Sequence, residues 1–418
     1  MSRVLTVPNG PNVESYTGFI TVNDRYNSNM FFWFIPCFKN PETAPVLVYL
    51  EGGPGMSSLV SLFMWGTFNI DYKLNVTINP WSWNRQLFSI IYVDNPVGTG
   101  FSYTNDNTNN GYSRDQLTIS QNLYEFLRQF FLVFHDYRKR DLYVGGVSYA
   151  GKYVPAFGHY LIQMSNISNL NFKGILVGNG FTDPINQLAY DKTLLNLGLI
   201  DENQAIEVQT KQNQIKQLIK SMDYLKASKL FIQLILANQP NNYLMNITGF
   251  PLFYNIQQSD NVLNRLYLVE NYFKQQSVRK AIHVGSDDDM IVYNMYSLLV
   301  HQYMSDDFTR SAEPNLTAII DNGYKVLLFT GNLDIVVGIE STNGLLLNKN
   351  WKYYLDYNRA KRDIWKVNRN DPEIAGYAKS FGNFQHIIVR NAGHFAMLDQ
   401  PRATLDMAKR FIKSLTFD

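Results

Sequence analysis

Short, continuous apolar runs rich in β-branched residues recur along this chain, at Val46 to Leu50, Leu87 to Asp94, Leu142 to Gly145, Ile175 to Gly178, Val326 to Thr330 and Ile387 to Val389. Runs of this length and composition suit strands buried on both faces, as in parallel sheets covered by helices. Helical patterning separates several of them, notably from Ser120 to Phe134. The alternation predicts an α/β fold: a mostly parallel central sheet with helices on both faces. Ahead of these runs, Thr17 to Val22 and Met30 to Ile35 flank the turn-forming stretch Asn23 to Asn29 and read as an antiparallel hairpin.

With 418 residues the chain exceeds the usual size of one domain, so a large core with an inserted subdomain is expected. From about Gly198 to Met304 the strand rhythm breaks. There Asp201 is placed to cap a helix in which Ile215, Leu218, Ile219 and Met222 recur at helical spacing, and Ala227, Leu230, Phe231 and Leu234 repeat it. These stripes read as core contacts of a mainly helical insertion over 198–304, with 1–197 and 305–418 forming the α/β core. The Asn-rich stretch Asn105 to Asn110 reads as a surface loop.

Hydrophobic residues make up 45% of the chain and charged residues 17%, a balance that argues against extensive disorder. The net charge of +2 comes from 37 basic and 35 acidic residues scattered along the sequence, so no footprint for nucleic acid or an anionic membrane stands out. The basic trio Arg138-Lys139-Arg140 reads as a solvated helix end. Cys37 is the only cysteine, which excludes an intrachain disulfide. Four N-x-[ST] sequons, at Asn75, Asn166, Asn246 and Asn315, are candidate glycosylation sites and would require a secretory route. The N-terminus lacks an apolar signal core and no run of about 18 apolar residues occurs, so the expectation is a cytosolic chain or one that has lost its signal peptide, with no transmembrane segment.

Catalytic chemistry is suggested by Ser148 in Gly146-Val147-Ser148-Tyr149-Ala150-Gly151, directly after an apolar run and before a helical pattern. That is the layout of a nucleophile elbow, a sharp strand-to-helix turn in which small residues at Gly146 and Ala150 relieve crowding. A serine nucleophile needs a base to take its proton, and the base needs an acid to hold its tautomer. Asp334 follows the run ending at Thr330, and His394 follows the run ending at Val389, in the order Ser, acid, His. The glycine-rich turn Glu51-Gly52-Gly53-Pro54-Gly55 can supply one oxyanion NH, and Tyr149 the other. No GK[ST] follows that turn, which excludes a P-loop, and the six histidines show no H-x-x-x-H or H-E-x-x-H spacing, so no metal or cofactor is expected.

In their joint order, the segments ESYTGFITV, NMFFWF, GGPGMSS, YVDNPVGTGFSYT, YVGGVSYAGKYVPA, LVGNGFTDP, LLFTGNLDIVV and IIVRNAGHFAMLDQP resemble the serine carboxypeptidases, nearest the vitellogenic-like members, from about Tyr16 to Ile412. The resemblance implies an α/β-hydrolase sheet with a helical insertion near the active site. It implies Ser148 as nucleophile, His394 as general base and acid, Asp334 as its orienting partner, and Gly53 and Tyr149 as oxyanion donors. Peptide or protein C-termini become the expected substrate, at acidic pH, in a lysosome or vacuole or after secretion.

Three departures fall on positions that, by resemblance, recognise the substrate's terminal carboxylate alongside Gly52. Glu51 stands where the family usually has Asn, Val147 where it has Glu, and Trp65 where many members have a second Glu. An Asn amide donates to a carboxylate at any pH, whereas Glu donates only when protonated. Two facing anions about 4 Å apart at an effective dielectric near 20 repel by about 4 kcal/mol. One reading is a swap, in which Glu51 supplies the acid lost at Val147. Two others are an acyl hydrolase or transferase with altered specificity, acting as an esterase or deamidase, and a catalytically weak binding homologue.

Overall fold

The apolar runs form the middle of one large sheet. A computed structural model describes residues 2–4, 6–236, 242–250, 253–257, 261–285, 291–347 and 351–417. In chain order its strands are β1 (Ser2–Val4), β2 (Ser15–Asn23), β3 (Ser28–Ile35), β4 (Val46–Leu50), β5 (Phe68–Ile70), β6 (Val76–Ile78), β7 (Ser89–Val93), β8 (Tyr103–Thr104), β9 (Asp141–Val147), β10 (Asn171–Gly178), β11 (Lys325–Gly331), β12 (Arg362–Trp365), β13 (Gly376–Phe381) and β14 (Phe384–Val389). The 12-stranded sheet runs β1-β2-β3-β7-β4-β9-β10-β11-β14-β13-β12, with β8 on β3, while β5 and β6 pair separately. The strands from β7 to β14 along that path are parallel, and both edges are antiparallel. The expected hairpin is β2 and β3, joined through a short 3-10 turn at Asp24–Tyr26.

Strand side chains alternate between two hydrophobic cores. Val46, Val48 and Leu50 of β4 and Leu142 and Val144 of β9 pack on one face, against helices Gln116–Val133 and Ala150–Gln163; Leu47, Tyr49, Tyr143 and Val147 pack on the other, against helices Ser58–Met64 and Pro401–Lys413. A slip of one residue would exchange the two faces, and each buried Val or Leu contributes about 1.5–3 kcal/mol, so the register is strongly held.

Between β10 and β11 the described residues form helices joined by irregular segments. Helix Glu202–Lys220 opens with a reciprocal capping box, in which Gln204 N donates to Asp201 Oδ1 and Asp201 N donates to Gln204 Oε1. Ile215 and Ile219 are buried, but Met222 lies beyond the helix end at φ 62 and is exposed. The helix stops early because Asp223 turns back, its N donating to Leu218 O and its side chain capping the next helix, Tyr224–Phe231. Among the described residues no helix is long and apolar enough to cross a membrane. The sequon residues Asn75, Asn166 and Asn246 are exposed, whereas Asn315 is partly buried with its Oδ1 2.8 Å from His159 Nδ1.

Candidate active site

Four neighbouring parallel strands deliver Ser148 (after β9), Asn179 (after β10), Asp334 (after β11) and His394 (after β14) to one sheet edge, the carboxyl end where open α/β sheets place ligands. Ser148 sits at φ 62, a left-handed conformation that costs a non-glycine residue about 1–3 kcal/mol and turns its side chain out of the strand. The neighbours make that turn sterically accessible. A Cβ on Gly146 would lie 2.3 Å from Leu50 O and 2.6 Å from Ala150 Cβ, so only glycine fits. The Ser148 carbonyl accepts from Gly151 N at 2.8 Å and from Phe181 N at 2.9 Å, which ties the turn to the loop after β10. Ser148 is partly exposed, while Asp334 and His394 are buried.

His394 Nδ1 lies 2.8 Å from Asp334 Oδ2. That oxygen also accepts from Asn179 Nδ2 at 2.6 Å and Val337 N at 3.2 Å, and Oδ1 accepts from Val336 N at 2.7 Å. His394 is fixed from behind as well, since its N donates to Tyr254 O at 2.5 Å. A hydrogen bond from Nδ1–H to the carboxylate leaves Nε2 as the basic atom of a neutral ring.

The glycine-rich turn presses on the elbow. A Cβ on Gly52 would meet Tyr149 N at 2.7 Å and Ser148 Cβ at 2.8 Å, and Gly53 adopts φ 113. Asp94, at the end of β7, props the turn from below: it accepts from Ser57 Oγ at 2.6 Å, Ser58 N at 3.0 Å and Phe101 N at 2.9 Å. Burial pushes its carboxyl up to about 7 against those bonds.

Glu51 is 3% exposed and folded onto its own turn. Its Oε1 accepts from Gly52 N at 3.0 Å and its Oε2 from Ser61 Oγ. Burial pushes this carboxyl up to about 7, opposed by the Ser61 and Gly52 hydrogen bonds and by the charge of nearby His394. Val147 is buried, packed near Gly178, and brings no polar atom. Trp65 donates from Nε1 to Tyr49 Oη at 3.2 Å and stacks on Phe395 at 4.7 Å. Phe395 in turn contacts Tyr254 and the His394 ring, with centroids 5.2 and 5.0 Å apart. An aromatic wall therefore borders the imidazole.

Three segments far along the chain lace these loops together, and sequence reasoning assigned none of them. Residues 253–256 bridge the Asp334 and His394 loops, through Ile335 N to Phe253 O and Ile256 N to Leu333 O, and Asn255 shares the Asp399 carboxylate with Gly393 N. Residues 294–297 cross the glycine-rich turn, with Ser57 N donating to Met295 O and Ser297 N to Gly55 O. Residues 305–309 brace the elbow helix, where Asp307 accepts from Tyr149 Oη at 2.6 Å. Asn179 had a readable signal, an Asn directly after a predicted strand in a glycine-flanked turn.

The sequence matches the serine carboxypeptidase family from residue 6 to residue 414. It is 40% identical to the venom serine carboxypeptidase of Apis mellifera over 413 residues, which covers 97% of this chain and 85% of that protein. It is 37% identical to the vitellogenic carboxypeptidase of Aedes aegypti over 404 residues, covering 96% and 83% of the two chains. The fold is that of Kex1(delta)p, a prohormone-processing carboxypeptidase from Saccharomyces cerevisiae, with a TM-score of 0.83 at 21% identity over 98% of this chain and 94% of that one. Whole-length kinship of this kind, on an α/β-hydrolase sheet that brings a serine, a histidine and an aspartate to one edge, has one conclusion: the chain belongs to the serine carboxypeptidase family of peptide hydrolases.

Proposed function

We propose that the protein releases C-terminal residues from peptides through an acyl-enzyme on Ser148. His394 Nε2 takes the Ser148 proton as Oγ attacks the scissile carbonyl, then gives that proton to the leaving amine; water reverses the sequence to free the acyl group. Asp334 orients the imidazole and balances its transient charge. The NH groups of Gly53 and Tyr149 receive the oxyanion, with Gly52 holding the turn against Ser148. The observation that carries this reading is the His394 to Asp334 contact of 2.8 Å at the same sheet edge as a serine held at φ 62.

Glu51 receives the substrate's terminal carboxylate as a neutral acid, with Gly52 and Val147 lining the same corner. Its carboxyl, pushed up to about 7, keeps its proton in mildly acidic solution. A protonated Glu51 can donate to the substrate while its remaining lone pairs stay with Gly52 and Ser61. The leaving residue lies on the His394 side, against Tyr254, Phe395 and Trp65, because the imidazole must reach its nitrogen. The helices described within 198–304 act as an insertion beside this site, the remainder of that range lying partly outside the described residues, and an acidic setting such as a lysosome, a vacuole or the extracellular space, with glycans on the exposed sequons, agrees with the chemistry.

N-blocked dipeptides incubated with the purified protein between pH 4 and 8 test the reading. Release of the free C-terminal amino acid is expected at acidic pH, with none from the Ser148→Ala variant. No release at any pH overturns it.

A further inference from the structure

Behind the nucleophile elbow lies a buried polar cluster that the proposed chemistry does not use. Asp307 Oδ2 accepts from Tyr149 Oη at 2.6 Å, from Gln116 Nε2 at 2.6 Å and from Lys152 Nζ at 3.0 Å. Lys152 is fully buried and Asp307 5% exposed by side chain. Lys152 Nζ also donates to the backbone carbonyls of Asp307 and Phe308, so all three of its protons have partners. Burial of two opposite charges is costly unless such bonds are met, and losing one partner leaves the other stranded.

Its placement gives it a consequence. Tyr149 and Lys152 stand three residues apart on one helix face, so both side chains reach the same carboxylate. The Tyr149 ring is clamped on its face by Phe308, stacked at 5.4 Å and 21°. With ring plane and hydroxyl both held, rotation of Tyr149 about its backbone is restricted, and with it the peptide plane that carries the Tyr149 NH. The Tyr149 backbone nitrogen lies against the Gly52 turn. Asp307 itself is held by the helical region: Ser228 Oγ donates to Ser305 O at 2.6 Å and Thr309 Oγ1 to Tyr224 O at 3.0 Å.

We propose that Asp307 is a positioning residue for the oxyanion site, acting through the Tyr149 hydroxyl to aim the Tyr149 NH and so coupling the helical region to the acyl-transfer step. This rests on the assignment of Tyr149 as an oxyanion donor. A donor in the oxyanion site acts on the transition state rather than on bound substrate. Its misplacement therefore lowers kcat and leaves KM nearly unchanged.

The test uses Tyr149→Phe, which removes only the hydroxyl, and Asp307→Asn, each in the full-length protein. With an N-blocked dipeptide, kcat is expected to fall about tenfold with KM within twofold, and the rate of Ser148 labelling by a fluorophosphonate to fall by a similar factor. Thr309→Val, which cuts one of the bonds that hold the Asp307 segment to the helical region, is expected to lower kcat in the same direction by a smaller factor with KM within twofold, and an unchanged kcat in this variant overturns the coupling to the helical region. If Asp307→Asn does not fold, Tyr149→Phe decides alone. Wild-type kcat and labelling in a folded Tyr149→Phe overturn the proposal. A wild-type protein that neither turns over substrate nor labels at Ser148 instead overturns the assignment of the site itself.

Discussion

Two buried carboxyl groups flank His394, and their surroundings give them opposite characters. Asp334 receives hydrogen bonds from His394 Nδ1, Asn179 Nδ2, Val336 N and Val337 N, a set of donors complementary to a full negative charge. Glu51 receives only the Gly52 NH and the Ser61 hydroxyl, and burial outweighs them, pushing it up to about 7. The lesson is that the side-chain type does not set the role. Three loops converge on Asp334 and supply it with four donors, whereas Glu51 sits in a corner short of donors, where burial favours the protonated carboxyl.

The largest expected effect tests the Asp334 side. Asp334→Asn keeps the shape but replaces an acceptor with an amide that can present NH2 to Nδ1, which favours the wrong imidazole tautomer. The kcat on an N-blocked dipeptide should fall about 10³–10⁴-fold with little change in KM. A fall below tenfold would break the contrast, because Asp334 would then be no more committed to His394 than Glu51 is.

How much of this was readable beforehand differs between the same two regions. Ser148, Asp334 and His394 follow apolar runs in a fixed order, and strand identity comes from local composition, so the sheet and the delivery of these three residues to one of its edges were both legible. The hairpin of β12 and β13 was not, since Arg362, Asp363, Lys379 and Ser380 interrupt its apolar pattern at the sheet edge. Glu51 was legible as an unusual residue, but its bond to Ser61 depends on the helix Ser58–Met64 folding back over the turn. Asp307 and Tyr254 were invisible, because their contacts span 158 and 140 positions and neither lies in a periodic segment.

The next effect is thermodynamic. For Glu51 and Asp94 the folded carboxyl titrates near 7, above the ordinary values of 4.5 and 3.8. The folded state therefore holds protons that the unfolded state has released at these two carboxyls, so their contribution to stability is fully present at the acidic end, where buried His386, held down to about 4, acts in the opposite sense. The carboxyl contribution should fall as pH rises from about 4.5 to 7 and level off above that, by on the order of 3 kcal/mol for one such group. Chemical denaturation at pH 5 and pH 8 measures the difference. Glu51→Gln should remove its share and leave that of Asp94. A difference unchanged by Glu51→Gln would show that burial does not hold the Glu51 carboxyl up, and would break the contrast between the two sites.

Kinetics sharpen the contrast further. Above pH 7 an ionised Glu51 repels the substrate carboxylate, so kcat/KM for a free-acid substrate should drop about tenfold per pH unit, while the matching C-terminal amide is spared. In Glu51→Gln the side chain is neutral throughout. At pH 8 this variant should exceed the wild type about tenfold on the acid substrate and equal it on the amide. Equal loss on both substrates at pH 8 would move the cause from substrate recognition to the catalytic groups.

The smallest expected effect concerns the single bond that most opposes the burial of Glu51. Ser61 is fully buried and its hydroxyl donates to Oε2, which favours the ionised form. Ser61→Ala removes that donor without adding charge, so the Glu51 carboxyl should move further up and the alkaline limb of the acid-substrate profile should shift to higher pH by up to about one unit. Activity at pH 5 should change little, since Glu51 is already neutral there. The same substitution also takes the Ser61 hydroxyl away from Tyr49, which keeps its 3.2 Å bond from Trp65. Trp65 should therefore keep its stacking on Phe395, and the amide-substrate profile should not move. A limb that shifts to lower pH instead would mean that the Ser61 hydroxyl serves the neutral acid as an acceptor, and that Glu51 donates inward to its own helix rather than outward to the substrate.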